Sequence, residues 1–235
     1  MRKVLAFFGA FNPPTNAHIE LGRYAMEQTG REGVLYVPSK SSYIEDDQGK
    51  SFAYNDRDRL AMLHAVAQHN PWMTVIDREI FAEKQPRTYD TLCYLRDRGY
   101  QPSLLLGSDK LTELEYEWKH VEEIVTEFGI VCMCRGMDNV QQMIYSDPYL
   151  RSLSDGIAML ETPQQLRRIS STTVRNILQQ IQRTREALAA EPSFETAQDS
   201  PEIYALIYSL KELVPDEVAD TILLRGLIAG QIGGK

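Results

Sequence analysis

Short apolar runs recur along the chain, with amphipathic stretches between them. Lys3–Phe8, Gly33–Val37, Met73–Ile76, Ser103–Leu106, Gly129–Met133 and Ile157–Leu160 are brief and nearly continuous in apolar residues, the pattern of strands buried on both faces. Ala17–Thr29, Asp56–His69, Thr88–Arg98 and Trp118–Phe128 carry apolar residues at helical spacing. Alternation of the two predicts an α/β domain: a mostly parallel sheet, helices on both faces and right-handed connections. Thr173–Ala190 reads as a further helix, opened by Ser171 or Thr172 as its cap. The polar stretch Glu191–Ser200 reads as a loop. Two more helices, Pro201–Leu213 and Pro215–Leu227, precede a glycine-rich tail. The pattern shows no internal repeat. It divides into a domain over 1–180 and a helical extension over 181–235 packed on that same domain.

Composition narrows the class. The chain has 235 residues, 43% of them apolar, enough for one sizeable core. Its net charge of −8 argues against a broad nucleic-acid or anionic-membrane surface. Three cysteines, Cys93, Cys132 and Cys134, make no disulfide framework and suit a reducing compartment. The apolar run at the N-terminus is short and ends in Asn12-Pro13-Pro14, so it reads as a first strand, not a signal peptide. No stretch is long and apolar enough to span a bilayer. A cytoplasmic protein is expected, with oligomeric state left open.

Two segments carry candidate chemistry. In the first, VLAFFGAFNPPTNAH over 4–18, a strand ends at Gly9, a proline-stiffened turn follows, and a helix starts between Thr15 and Ala17. Gly9 lacks a Cβ, so backbone can approach a ligand there. The free N–H groups of a helix start suit phosphate, and His18 in the first turn could donate to a phosphate oxygen. The same residues read equally as an ordinary Thr15 cap followed by a surface histidine. In the second, RRISSTTVR over 167–175, Ser170, Ser171, Thr172 and Thr173 stand at a helix start with Arg175 one turn in. Hydroxyls, free N–H groups and a guanidinium suit a triphosphate, while a capped amphipathic helix is the plainer alternative. In a doubly wound sheet both segments can face the crevice at the strand carboxyl ends. Cys132 and Cys134 lie in a strand with no His or Cys partner motif, so they read as core; no protein-held metal is expected.

Gly9-Ala10-Phe11-Asn12-Pro13-Pro14-Thr15-Asn16-Ala17-His18 resembles the GxFxPxHxGH segment of the HIGH-type nucleotidyltransferases, and Ile169 to Arg175 resembles their ISSTxxR segment. Thr15 stands where that family has its first histidine, and Ala17 where it has glycine. The nicotinate-mononucleotide adenylyltransferase branch matches best. Arg87-Thr88-Tyr89-Asp90-Thr91-Leu92 resembles its YTxDTL stretch, Leu106-Gly107-Ser108-Asp109 with Trp118 its IGxD…W stretch, and Leu213-Val214-Pro215 through Arg225-Gly226-Leu227 its final helix. The resemblance implies a Rossmann-like doubly wound fold with ATP and Mg²⁺ as co-substrates. It implies catalytic roles for Thr15, His18 and Arg175. ATP would be bound by Gly9, Ala10, Phe11, His18, Gly107, Asp109, Ser170, Ser171, Thr172 and Arg175. A pyridine mononucleotide would be bound by Asn12, Lys50, Thr88, Tyr89, Trp118 and Arg135. The branch has a lysine after its second strand, for which Lys40 and Lys50 are both candidates. A different phosphate-monoester acceptor, or a nucleotide-binding regulator without turnover, are the competing readings.

Overall fold

A computed structural model describes residues 1–46, 54–134, 139–189 and 200–232. The chain runs β1 (Arg2–Gly9), α1 (Asn16–Gln28), β2 (Val34–Pro38), α2 (Ser41–Asp46), α3 (Asp56–Gln68), β3 (Met73–Val75), α4 (Arg78–Phe81), α5 (Thr88–Asp97) and β4 (Tyr100–Gly107). Then follow α6 (Leu114–Glu117), α7 (Val121–Glu123), β5 (Ile130–Cys134), α8 (Val140–Ser146), α9 (Pro148–Ser152), β6 (Ile157–Glu161), α10 (Ser171–Ala189), α11 (Pro201–Leu213) and α12 (Asp216–Ile232).

Among the described residues the strands form one sheet in the order β3-β2-β1-β4-β5-β6, every pair parallel. Each apolar run of the sequence is one of these strands. β1 to β5 read as apolar runs because helices cover both faces, whereas the edge strand β6 leaves Ala158 and Met159 exposed. Alternate residues of β1 divide between two cores: Val4 and Ala6 pack with α5 and its neighbours, while Leu5 packs with α1 and α3. Leu210 of α11 and Val218, Ala219 and Ile222 of α12 join the second core. The order reverses between β1 and β4, so the sheet has its switch point there, where a crevice opens at the strand carboxyl ends. Cys132 and Cys134 are buried in the first core. No helix of the described residues is long and apolar enough to cross a membrane.

Two local expectations need correction. The stretch Trp118–Phe128 is not one helix: Trp118 is extended, α7 starts only at Val121, and Ile124–Phe128 widens into a π-turn. His120, in the left-handed region at φ 61°, separates Trp118 from that helix. Neither Ser171 nor Thr172 caps α10, because both are already inside it. Ser170 Oγ accepts the Thr173 N–H at 3.2 Å and supplies the cap. The expected loop over 191–199 lies outside the described residues.

Candidate active site

The turn after β1 is held from several sides. Phe11 sits at φ 45°, a costly conformation for a bulky residue unless its surroundings fix it. Its ring, 1% exposed, packs against Phe7, Tyr36 and His18 at centroid distances of 5.5, 5.5 and 5.2 Å. A Cβ on Gly9 would lie 3.1 Å from this ring. Glycine at position 9 thus makes room for the Phe11 ring, a reason the sequence alone did not reveal. Arg59, fully buried, donates to the carbonyls of Ala10 and Ser39 and pairs with Asp56 at 2.5 Å. It ties the β1 turn to the end of β2. Nothing in the helical pattern of 56–69 distinguishes this arginine from a surface one, so sequence reasoning missed it.

Thr15 is the N-cap of α1, and His18 is its third residue. The Thr15 hydroxyl accepts the His18 N–H at 3.4 Å, and the Thr15 N–H donates to His18 Nδ1 at 3.1 Å, a reciprocal capping box. Thr15 Oγ1 also lies 2.8 Å from Nδ1. A neutral imidazole that accepts through Nδ1 carries its proton on Nε2, so the ring reaches a ligand as a donor through Nε2. The cap and the phosphate-binding reading are therefore compatible: the cap sets the tautomer and angle of the ring.

A cleft of about 950 Å³ opens at the ends of β1 and β4. Gly9, Ala10, Phe11 and His18 line one part, Gly107, Asp109 and Trp118 another, and Thr88 a third. The structure thus brings together eight residues that the motifs had singled out. The second motif, Ser170 to Arg175, does not line the cleft but stands behind the first: Ser171 Oγ donates to the Pro13 carbonyl at 2.8 Å, and Arg175 Nη1 to the Asn12 carbonyl at 2.9 Å. Arg175 Nη2 also donates to Thr172 Oγ1 at 3.2 Å. Burial lowers the Arg175 pKa, but a guanidinium remains a cation at any ordinary pH. Asn12 is buried, and its Oδ1 accepts the Tyr54 N–H at 3.2 Å.

Tyr89 is placed elsewhere. It does not line the cleft; its hydroxyl donates to Glu127 at 2.9 Å and its ring stacks on His120 at 5.0 Å. Lys40 turns its ammonium to the Ala82 carbonyl. Lys50 and Arg135 lie outside the described residues.

One wall of the cleft lies mostly outside the motifs, with only Arg87 belonging to one of them. Residues 84–87, Lys-Gln-Pro-Arg, line it together with Glu79. Among the described residues no carboxylate pairs with Lys84 or Arg87, whereas Lys110 is held by Glu113 at 2.7 Å. Glu79 is buried beside them, and desolvation pushes its carboxyl up to about 7 against hydrogen bonds from Gln85 and Thr91 and the charge of Arg78. Its only sequence signal was an acidic residue in a short segment rich in charge.

A parallel sheet in this strand order, with a helix start and a polar cleft at its switch point, defines a nucleotide-binding α/β protein. The comparisons narrow this. The cytidylyltransferase-like family matches residues 6–177. A protein of Neisseria meningitidis named "Probable nicotinate-nucleotide adenylyltransferase" is 31% identical over 183 residues, covering 76% of this chain and 88% of its own. A protein of the same name from Cytophaga hutchinsonii is 29% identical over 191 residues, covering 80% and 92%. In fold, the chain is similar to the Plasmodium falciparum nicotinic acid mononucleotide adenylyltransferase complexed with NaAD. The TM-score is 0.62 at 17% identity, with 97% of each chain covered. The chain belongs to the cytidylyltransferase-like nucleotidyltransferases and, within them, to the nicotinate-nucleotide adenylyltransferase family.

Proposed function

We propose that the chain joins nicotinate mononucleotide to the AMP of ATP, releasing pyrophosphate and forming the dinucleotide of NAD biosynthesis in the cytoplasm. The observation that carries this reading is the cleft itself. It brings the His18 ring and the Gly9–Phe11 turn into one cleft with an aromatic residue, Trp118, and the basic residues Lys84 and Arg87. ATP is assigned to the Gly9–Phe11, Gly107 and Asp109 side, with Ser170, Ser171, Thr172 and Arg175 toward its phosphates. The mononucleotide is assigned to Thr88 and Trp118. Residues 181–235 are read as an extension of the one catalytic domain.

The acceptor is a phosphate monoester, mostly dianionic at neutral pH because its second pKa is about 6. Its oxygen attacks the α-phosphorus of ATP directly, the bond from that phosphorus to the bridging oxygen breaks, and pyrophosphate leaves with the electron pair. No catalytic base is required. Catalysis consists of bringing two anions together and stabilising charge on the α-phosphate and the leaving group. His18 Nε2–H is assigned to the bridge between the α and β phosphates. Arg175 is assigned to the departing pyrophosphate. The exposed carboxylates on the wall, Asp109 and Glu117, are hard oxygen donors of the kind that suit Mg²⁺ entering with ATP. A Mg²⁺ ion entering with ATP would be held mainly by phosphate oxygens and water, with Asp109 and Glu117 beside it, and would supply positive charge to the leaving group. The test is pyrophosphate release from ATP and Mg²⁺ with a panel of phosphate monoesters. Release with nicotinate mononucleotide is expected, and EDTA should stop it without unfolding the chain. Release only with a non-pyridine acceptor would overturn the assignment, and none with any acceptor would favour a regulator.

A further inference from the structure

The 82–87 segment joins α4 to α5 without regular structure, yet it carries much of the cleft wall. Lys40, just after β2, holds it at two points: its ammonium donates to the Ala82 carbonyl and its N–H to the Gln85 side chain. The Gln85 side chain donates through Nε2 to Glu79 Oε2 and accepts the Lys40 N–H through Oε1 at 3.0 Å. The other Glu79 oxygen accepts from Thr91 Oγ1 of α5 at 3.1 Å. Glu79 is 1% exposed and Thr91 fully buried. Two pieces of chain meet at the Glu79 carboxyl, the cleft-wall segment at Gln85 and the first turns of α5 at Thr91, and Gln85 links them to a third, the segment after β2 at Lys40.

We propose that Glu79 is a positioning residue for the acceptor half of the cleft: as a carboxylate it fixes the Gln85 amide, and through it the wall that presents Lys84, Arg87 and Thr88. The role rests on reading this half of the cleft as the mononucleotide side. The Gln85 amide satisfies both neighbours in one orientation only, nitrogen to Glu79 and oxygen to Lys40. A carboxylate has acceptors alone and enforces that orientation. A neutral amide or carboxylic acid at position 79 has one accepting oxygen and one donor, so it no longer enforces that orientation: with its donor toward Gln85 the amide turns over and sets its NH₂ against the Lys40 N–H, leaving a buried donor unmatched. The other groups acting on Glu79 among the described residues are Thr91, by hydrogen bond, and Arg78, by charge. Because burial brings the carboxyl to about 7, the grip is complete above neutrality and weakens as pH falls below it.

Glu79→Gln and Gln85→Ala test the proposal through two readouts. The first is the KM for nicotinate mononucleotide and for ATP, followed from about pH 6 to about pH 9. The KM for the mononucleotide should rise about tenfold in either variant while that for ATP stays within about twofold, the loss of one charge-assisted hydrogen bond on one side of the cleft. In the wild type the mononucleotide KM should fall as pH rises through 7, and Glu79→Gln should lack that component; an inflection shared by both belongs to the substrate phosphate. The second readout is amide hydrogen exchange over 82–92 in the protein without substrates, which should quicken in both variants. Equal rises in both KM values, or unchanged exchange, would overturn the proposal. If Glu79→Gln does not fold, Gln85→Ala decides it. A wild type inactive with every pyridine mononucleotide would refute the acceptor assignment, and exchange would still decide whether Glu79 holds the wall.

Discussion

The Arg175 guanidinium donates to the Asn12 carbonyl at 2.9 Å, across 163 positions of sequence. The helix start that reads as a triphosphate cradle is thus also a strut for the turn that reads as the phosphate-binding loop. The Ser171 hydroxyl makes a second tie, to Pro13. The two motifs are one mechanical unit, and ligand contacts made by either are set by the other.

Arg175→Ala should therefore show two losses. A hydrogen bond from a charged donor is worth about 1.5–3 kcal/mol, so thermal unfolding should shift down accordingly. Turnover should fall by about 10²-fold or more if the guanidinium also meets the leaving pyrophosphate. Arg175→Lys keeps the charge but not the fork that serves Asn12 and Thr172 together. Unfolding and turnover measured on both variants separate the roles. A destabilised Arg175→Ala enzyme with wild-type kcat would make Arg175 a strut only.

For His18, removal of one preorganised donor to the reacting phosphates should lower kcat by about 10²–10³. The fold should survive, because Thr15 keeps its own cap bond to the residue 18 N–H. Thr15→Ala is the sharper variant. It removes the cap, at a cost of about 1 kcal/mol, and the hydroxyl beside Nδ1. Its turnover should fall, and Thr15→Ser should restore it. If Thr15→Ala loses stability while kcat is unchanged, the cap does not aim the ring.

All six apolar runs are strands; the inner ones were legible because a sheet covered on both faces leaves an uninterrupted apolar run, and β6 kept its apolar run although it is an exposed edge. His18 and Thr15 were legible because a capping box is a local property of four residues, Thr15 to His18. Glu79, Gln85 and Arg59 were not: Glu79 is held by Gln85 and Thr91 from outside its own short helix, and Gln85 and Arg59 each reach partners far along the chain. Arg59 is fully buried where the carbonyls of Ala10 and Ser39 converge on it, and a helical pattern cannot show that. Tyr89 misled for the same reason. Its neighbour Thr88 faces the cleft, but one residue further on α5 the side chain turns to Glu127 and His120.

Glu79 also makes a stability prediction with a definite sign. Its folded pKa, about 7, lies above the 4.5 usual for a glutamate, so the folded chain holds a proton there that the unfolded chain has lost. Stability contributed by this group is full below about pH 4.5, is lost as pH rises toward 7, and then stays constant; the span is at most on the order of 3 kcal/mol. Other carboxylates titrate in the same window with opposite sign, so the measurement is a difference. Denaturant unfolding of wild type minus Glu79→Gln should decline between about pH 5 and about pH 7. A difference independent of pH would show that Glu79 titrates at its ordinary value.

Acceptor choice turns on one group. Nicotinate and nicotinamide mononucleotides differ by a carboxylate against a neutral amide, so a discriminating pocket must present donors and withhold acceptors. The wall beside Thr88 does so. Lys84 and Arg87 face the cleft without a carboxylate partner among the described residues, Glu79 is turned into Gln85 and Thr91, and Asp90 is exposed on α5 outside the cleft lining. The start of α5 adds backbone N–H groups at Thr88 and Tyr89. The amide would bring its own NH₂ toward these donors and lose the ion pair. A fully buried site could discriminate by about 10⁴-fold, but Lys84 and Arg87 are exposed, and water competes for their donors. The expected preference for the nicotinate form is therefore about 10–100-fold in kcat/KM, the worth of one or two charge-assisted hydrogen bonds. Because the contribution is ionic and exposed, raising salt from low to about 1 M should shrink it several-fold. Arg87→Ala should shrink it too, chiefly through the KM of the nicotinate form and with little change for the amide. Equal kcat/KM values for the two mononucleotides in the wild type would refute the preference while leaving adenylyl transfer intact. A preference that survives both salt and Arg87→Ala would move its origin from this wall to the backbone donors of α5.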